Sequence, residues 1–279
     1  MKTLRFISTI IAMLVLSQAM YAQDYSNYLQ KARQRIAEGD CDGAQRCYNV
    51  YKDLTNKTDK DVERQIRECK GDTGGDNTST YNGHGYVDLG LPSGTLWATC
   101  NVGATTPEGY GYYFAWGETK SKTTYNWDTY KYCNGGHDQL TKYCNFYKFG
   151  YQGFTDNLTV LQPVDDAATA NWGSGWCMPT KEQWEELYKN TDHSWKAWNG
   201  VNGRLFKGKN GAVLFLPAAG YRWDDELNGV GDYGRYWSSS LYTDNPDNAW
   251  LFYFLSGDYD VNDYYRIGGR SVRAVRSAR

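Results

Sequence analysis

From Gly83 onward the chain sets aromatic and β-branched residues among closely spaced glycines, and this mixture limits its fold more than any other feature. Aromatic and β-branched side chains suit the pleated, half-buried surface of a sheet, while glycine supplies the turns between short strands. The whole chain carries 25 Tyr, 11 Trp and 30 Gly against only 6 Pro, a balance that does not suit a helical bundle. At 279 residues there is room for one or two domains with a proper core. A net charge of −2 gives no electrostatic footing for nucleic acid or an anionic membrane.

The first 22 residues read as an export signal. Lys2 and Arg5 supply the charged start, Phe6 to Leu16 the apolar centre, and Ser17 to Ala22 the small polar exit. The apolar run is too short for a membrane span, so the expected mature chain begins near Gln23 and is periplasmic, cell-surface or secreted. Export permits disulfides among the seven cysteines, and the odd number leaves at least one thiol unpaired. Cys133 and Cys144 form the one local pair considered for bridging, against the alternative of two buried thiols. No CxxC or Cys/His ligand spacing suggests zinc.

Residues 23–70 carry helical periodicity. Tyr28, Ala32 and Ile36 recur every four residues, and Glu38-Gly39-Asp40 breaks the pattern. Ala44, Cys47, Tyr48 and Tyr51 begin a second stripe, and Thr58 or Asp59 can cap a third helix bearing Val62, Ile66 and Cys69. The turn around residues 37–48 is similar to a tetratricopeptide hairpin. Stacked repeats usually need three or more units, so this segment is expected to pack on the other domain, a partner or a copy of itself. Residues 71–82 read as a small-residue linker, and residues 83–279 as the second domain.

Within that domain, Tyr86 to Cys100 reads as two strands around Pro92-Ser93-Gly94, and Gly111 to Gly117 as another strand. Lys120 to Thr159 reads as long loops. Pro179, Thr180 and Gln183 mark the start of a helix whose Trp184, Leu187 and Tyr188 face the sheet. Ala212 to Ala219 reads as a buried strand. A turn at Tyr236 to Ser240 precedes the last strands, Trp250 to Leu255 and Ser271 to Arg276.

Several of these stretches resemble the Fibrobacter succinogenes major paralogous domain. They are residues 85–104 (G-Y-V-D-L-G-L-P-S-G-T-L-W-A-T-C-N-V-G-A), 114–119, 165–168, 176–187 (W-C-M-P-T-K-E-Q-W-E-E-L), 215–222, 236–240 and 271–276. They occur in order over most of the second domain. The resemblance implies an α+β, C-type-lectin-like fold: a twisted antiparallel sheet, a flanking helix, long loops, and first and last strands paired. Cys177 stands where the family usually has Arg, which leaves open whether it pairs with Cys100. The chain is also similar to the variable proteins of diversity-generating retroelements, whose adenine mutagenesis of a C-terminal window changes Asn codons. Lys, Glu, Gln, Met and Trp lie outside the reach of that process. The first four account for 39 of the first 226 residues and for none of the 53 after Glu226, where Trp237 and Trp250 remain as frame residues would. A lectin-type loop surface that was never diversified would have the same composition.

The C-terminal stretch is rich in Tyr, Asn, Asp and Ser, the mixture of rigid aromatic anchors and adaptable polar groups found in binding loops. If Trp250, Phe252 and Phe254 face the core, alternation turns Leu251, Tyr253 and Leu255 outward. Tyr242, Asp244, Asn245, Asp247 and Asn248 then form one loop of a candidate site. Asp258, Tyr259, Asp260, Asn262, Asp263, Tyr264 and Tyr265 form the next, and Trp223, Asp232 and Tyr233 widen it. The expected ligand is a protein or glycan at a cell or phage surface.

Three other classes compete. Calcium could bind at Asp258, Asp260, Asn262 and Asp263, but the triplets of calcium-dependent lectins are missing and no metal or cofactor is expected. A formylglycine-generating type of enzyme would need a reactive thiol pair, and neither Cys100 nor Cys177 has a neighbour suited to activating it. His84, His137 and His193 fall in loops without a catalytic pattern. A structural or adhesin subunit would assemble through residues 23–70.

Overall fold

The computed structural model describes residues 27–69 and 79–277. The expected export signal lies outside the described residues, as does most of the expected linker. The chain divides into two compact units on either side of Gly74 and Gly75. No helix among the described residues is long and apolar enough to cross a membrane.

The described residues of the first unit form three helices: α1 (residues 27–37), α2 (Cys41–Thr55) and α3 (Lys60–Cys69). The Asp40 side chain caps α2 by accepting from the Gly43 amide, and Asp59 accepts from the amides of Asp61 and Val62 to start α3. Ala32, Ala44, Tyr48, Val62 and Ile66 form its small core. Tyr48 is its polar pin: its hydroxyl accepts from the Asp59 amide and donates to Glu63. A disulfide joins Cys41 to Cys69. It therefore closes the ends of the α2–α3 pair. Cys133 and Cys144 are instead free thiols, each donating to a backbone carbonyl, of Trp127 and Phe146 respectively. Cys100 and Cys177 are also unpaired.

The second unit is mixed α+β and mostly antiparallel. β1 (Ser79–Tyr81), β2 (His84–Asp88), β3 (Thr95–Asn101) and β12 (Arg273–Ser277) form one sheet in the order β1-β2-β3-β12, pairing the first strands with the last. β4 (Asp192–Trp198), β5 (Val201–Lys207) and β6 (Val213–Pro217) form a second, and β7 (Tyr221–Trp223) pairs with β8 (Glu226–Asn228). The third has the order β11-β10-β9, from β9 (Gly234–Leu241), β10 (Asn248–Phe254) and β11 (Tyr259–Tyr265). Two helices flank them, α4 (Ala167–Trp172) and α5 (Lys181–Asn190). In α5, Thr180 and Gln183 complete the expected capping box, Trp184 and Leu187 are buried, and Tyr188 is half-buried.

Several sequence expectations need correction. Residues 79–81 form β1 rather than linker, because Asn82 and Gly83 both take positive φ in a two-residue turn and Tyr81 lies over Arg276 at 3.8 Å. A second Asn-Gly turn, Asn199-Gly200, builds the unexpected β4–β5 hairpin. Residues 111–117 make a single bridge, Phe114 with Arg270, instead of a strand. Tyr236 to Ser240 belong to strand β9 and residues 259–265 to strand β11, where a turn and a loop were expected.

The β9–β11 sheet is covered on both faces. Trp237, Leu241, Ala249 and Leu251 enter one apolar cluster with Trp116, Tyr143 and Trp176. Tyr236, Phe252, Phe254 and Val261 enter another with Trp184, Leu187 and Phe206. This double coverage buries Leu251, which was expected to face outward; β10 is the central strand and has no solvent face at that point.

Candidate functional site

Register decides which candidate residues meet. Arg235, Tyr253 and Asp260 lie directly opposite one another across β9, β10 and β11, as do Trp237, Leu251 and Asn262 in the next row of that face. Tyr264 shares the face, opposite Ala249. Four half-buried tyrosine rings converge on Arg235. Its guanidinium carbon is 4.0 Å from the ring centre of Tyr221, 4.6 Å from Tyr264, 5.7 Å from Tyr253 and 5.8 Å from Tyr233. Cations over aromatic faces at these separations are held by the ring quadrupole. Tyr233 and Tyr253 stack at 6.3 Å. Burial raises the Tyr253 hydroxyl pKa, so the ring stays neutral. Gly229 makes room for this arrangement: it takes φ +63°, and a Cβ there would come within 2.1 Å of the Tyr233 ring.

Tyr265 and Trp223 form a second group, 6.2 Å apart, with Trp127 6.0 Å beyond Tyr265. Trp223 and Tyr265 remain 36% and 45% exposed. Asn126 donates to Asp224 at 3.1 Å, holding the Trp127 loop against the β7–β8 turn.

The remaining candidates are dispersed. Tyr259 lies on the opposite face, against His193 at 4.4 Å and under Arg204 at 4.7 Å, and so does not join Tyr253 and Tyr264. Asp263 accepts from Asn248 at 2.6 Å, and Tyr242 packs edge-on to Trp250 at 5.0 Å, both on that second face. Asp244 is exposed and Asn245 half-buried in the β9–β10 connection, while Asp232 is exposed in the turn before Tyr233. Asp247 is buried rather than displayed, with Oδ2 3.6 Å from His137 Nδ1. Burial pushes its carboxyl up to about 6, although His137 and Arg266 pull the other way.

Asp258, Asp260 and Asn262 share a local role. Each side-chain oxygen accepts the backbone N–H of the next residue: Tyr259 at 2.8 Å, Val261 at 2.7 Å and Asp263 at 2.8 Å. Among the described residues there is no group of three or more His, Cys, Asp or Glu placed to hold a metal ion. The histidines serve separate aromatic contacts: His84 on Trp172 at 3.9 Å, His137 beside Trp127, and His193 beside Tyr259.

Sequence reasoning missed Tyr221, Arg235, Arg270 and Trp127. The Arg270 guanidinium lies 4.8 Å from Tyr221 and 5.6 Å from Tyr264, so it reaches the same rings as Arg235. Compared with known proteins, the chain matches no family model, no curated protein and no solved structure, and the reading of this face rests on its own geometry.

Proposed function

We propose that the chain is an exported, non-catalytic binding protein whose second unit, a C-type-lectin-like domain, recognises a protein or glycan. The observation that carries this reading is the convergence of Tyr221, Tyr233, Tyr253 and Tyr264 on Arg235 at a partly open face. Tyrosines fixed by a cation lose little freedom on binding and present both ring and hydroxyl. Stable protein recognition buries about 800 Å² per partner. Aromatic side chains bury roughly 150–250 Å² each in full, so the half-buried cluster needs Trp223 and Tyr265 beside it to reach that area. The likeness to retroelement variable proteins fits the same reading, since β11 lies in the C-terminal stretch that such a retroelement would diversify.

The test is capture of surface glycans and surface proteins on arrays by the full chain and by a Tyr233→Ala/Tyr253→Phe variant. Binding should fall on the order of tenfold or more, as for hot-spot aromatics, with the melting temperature little changed. Undiminished capture by the folded variant would remove this face from consideration. A second reading, an adhesin subunit assembled through the first unit, draws on Val50 and Leu54. These are 36% and 50% exposed and four residues apart on α2. An unchanged number of copies per particle on deleting residues 23–70 excludes it.

A further inference from the structure

Three arginines near the C-terminus are essentially sealed from solvent, and the fold treats them differently. Arg266 donates to the carbonyls of Lys142, Tyr143 and Pro246 and to the Tyr130 hydroxyl. Arg273 donates to Asn101 and to the carbonyls of Ala98 and Thr99. Arg270 is 1% exposed, and its Nε and Nη1 have no hydrogen-bond partner. It forms no ion pair among the described residues, and the charge acting on it most strongly is a second cation, Arg235, whose Nε is also unpartnered. Burial and this neighbour pull Arg270 down to about 9. Native proteins rarely leave buried donors unpaired, and a pair of cations without a counter-charge is a site for an anion.

The local backbone accommodates the group. A Cβ at Gly268 would stand 2.8–2.9 Å from the guanidinium atoms of Arg270. Glycine there leaves the space the guanidinium occupies. Both guanidinium groups reach the rings of Tyr221 and Tyr264; those rings and Arg235 are half-buried while Arg270 is sealed, so a ligand meets Arg235 first and reaches Arg270 only as the rings part.

We infer that Arg235 and Arg270 together bind the carboxylate of an acidic sugar within the ligand. Paired guanidinium forks match the geometry of a carboxylate, and the surrounding tyrosine rings offer flat apolar faces to the C–H face of a pyranose. An acidic peptide side chain presents the carboxylate on a narrow stem and leaves those rings uncovered. This inference rests on the reading of the tyrosine face as a binding surface and adds the charge and chemical class of what it binds.

The test uses the full chain titrated with methyl glucuronide, methyl glucoside and N-acetylglutamate amide, followed by NMR shifts of aromatic and guanidinium signals. Methyl glucuronide should bind on the order of tenfold more tightly than the other two, and Arg235→Gln and Arg270→Met should each abolish the preference. Arg235→Gln, at the half-buried rim, keeps the test decisive where Arg270→Met is poorly folded. Equal binding of the neutral glucoside, or an unchanged preference in Arg235→Gln, overturns the anion site. Equal binding of N-acetylglutamate amide overturns the assignment to a sugar. Because these probes are read without the macromolecular ligand, loss of the glucuronide preference leaves array capture through the tyrosines standing. Unaltered capture by the tyrosine variant defeats the underlying surface instead.

Discussion

Replacing Arg266 by Leu should be among the most destabilising changes in the second unit, whereas the same change at Arg270 should cost less. Arg266 makes four hydrogen bonds of 2.7–2.9 Å, to Tyr130, Tyr143, Pro246 and Lys142. It thereby ties the 130–143 loop to the β9–β10 connection at one point. Hydrogen bonds to a charged group contribute about 1.5–3 kcal/mol each, but the buried guanidinium gives up its hydration, and the four are not additive. Removing it leaves three carbonyls and a hydroxyl without their donor in a dry site. The comparable loss of one member of a buried ionic network costs about 3–5 kcal/mol. For a unit of this size each kcal/mol moves the melting temperature by roughly 2–4 °C, so Arg266→Leu should melt about 6–20 °C lower. Arg270→Leu breaks no hydrogen bond and removes a buried cation with no counter-charge, but it gives up the contacts with the rings of Tyr221, Trp237 and Tyr264, worth about 2 kcal/mol when desolvated, so its loss should stay below about 2 kcal/mol and under that at Arg266. Urea unfolding followed by tryptophan fluorescence reads both. Equal losses at the two positions, or a loss below about 1 kcal/mol at Arg266, would refute the argument that carbonyl satisfaction separates them.

Two further perturbations test other parts of the structure. Asp247 holds its proton more tightly folded than unfolded, so its contribution to stability is present near pH 4 and is lost as pH rises through about 6. Asp247→Asn should therefore exceed the parent by ~1–3 kcal/mol at pH 7.5 and match it at pH 4; an offset of equal size at both values contradicts the burial argument. The Cys41–Cys69 disulfide spans 28 residues, and loop-closure entropy for such a span is about 3–4 kcal/mol. In Cys69→Ser the helical signal at 222 nm should lose much of its first-unit contribution at room temperature, and a full helical signal there would show that the small core suffices alone.

Local chemistry was the readable part of this chain. Thr180 and Gln183 announce a helix start on their own, and Pro92-Ser93-Gly94 announces a turn, because the residues that make these features are adjacent. The Asn-Gly pairs at 82–83 and 199–200 carried the same kind of signal, and the β1–β2 and β4–β5 hairpins follow from them. Leu251 could not be placed by alternation, since alternation assumes one wet face and β10 is covered on both at that residue. The same ambiguity scattered the candidate site. Tyr253 and Tyr264 share a face with Arg235, but Tyr259 is turned to the other by one register step. Arg235 and Arg270 carried no signal at all, because an arginine that ends up buried without a partner has the same neighbours in sequence as one that does not.

The outer edge of β11 also limits how a partner can approach. The amides of Tyr259, Val261 and Asp263 are already occupied by the side chain immediately before each, so an incoming extended segment finds few free donors with which to lengthen the sheet. Contact is thereby diverted from main chain to side chain, which is where differences between ligands can be felt. Changes that drop Asp258, Asp260 and Asn262 together would free those amides and make the margin a template for a neighbouring copy.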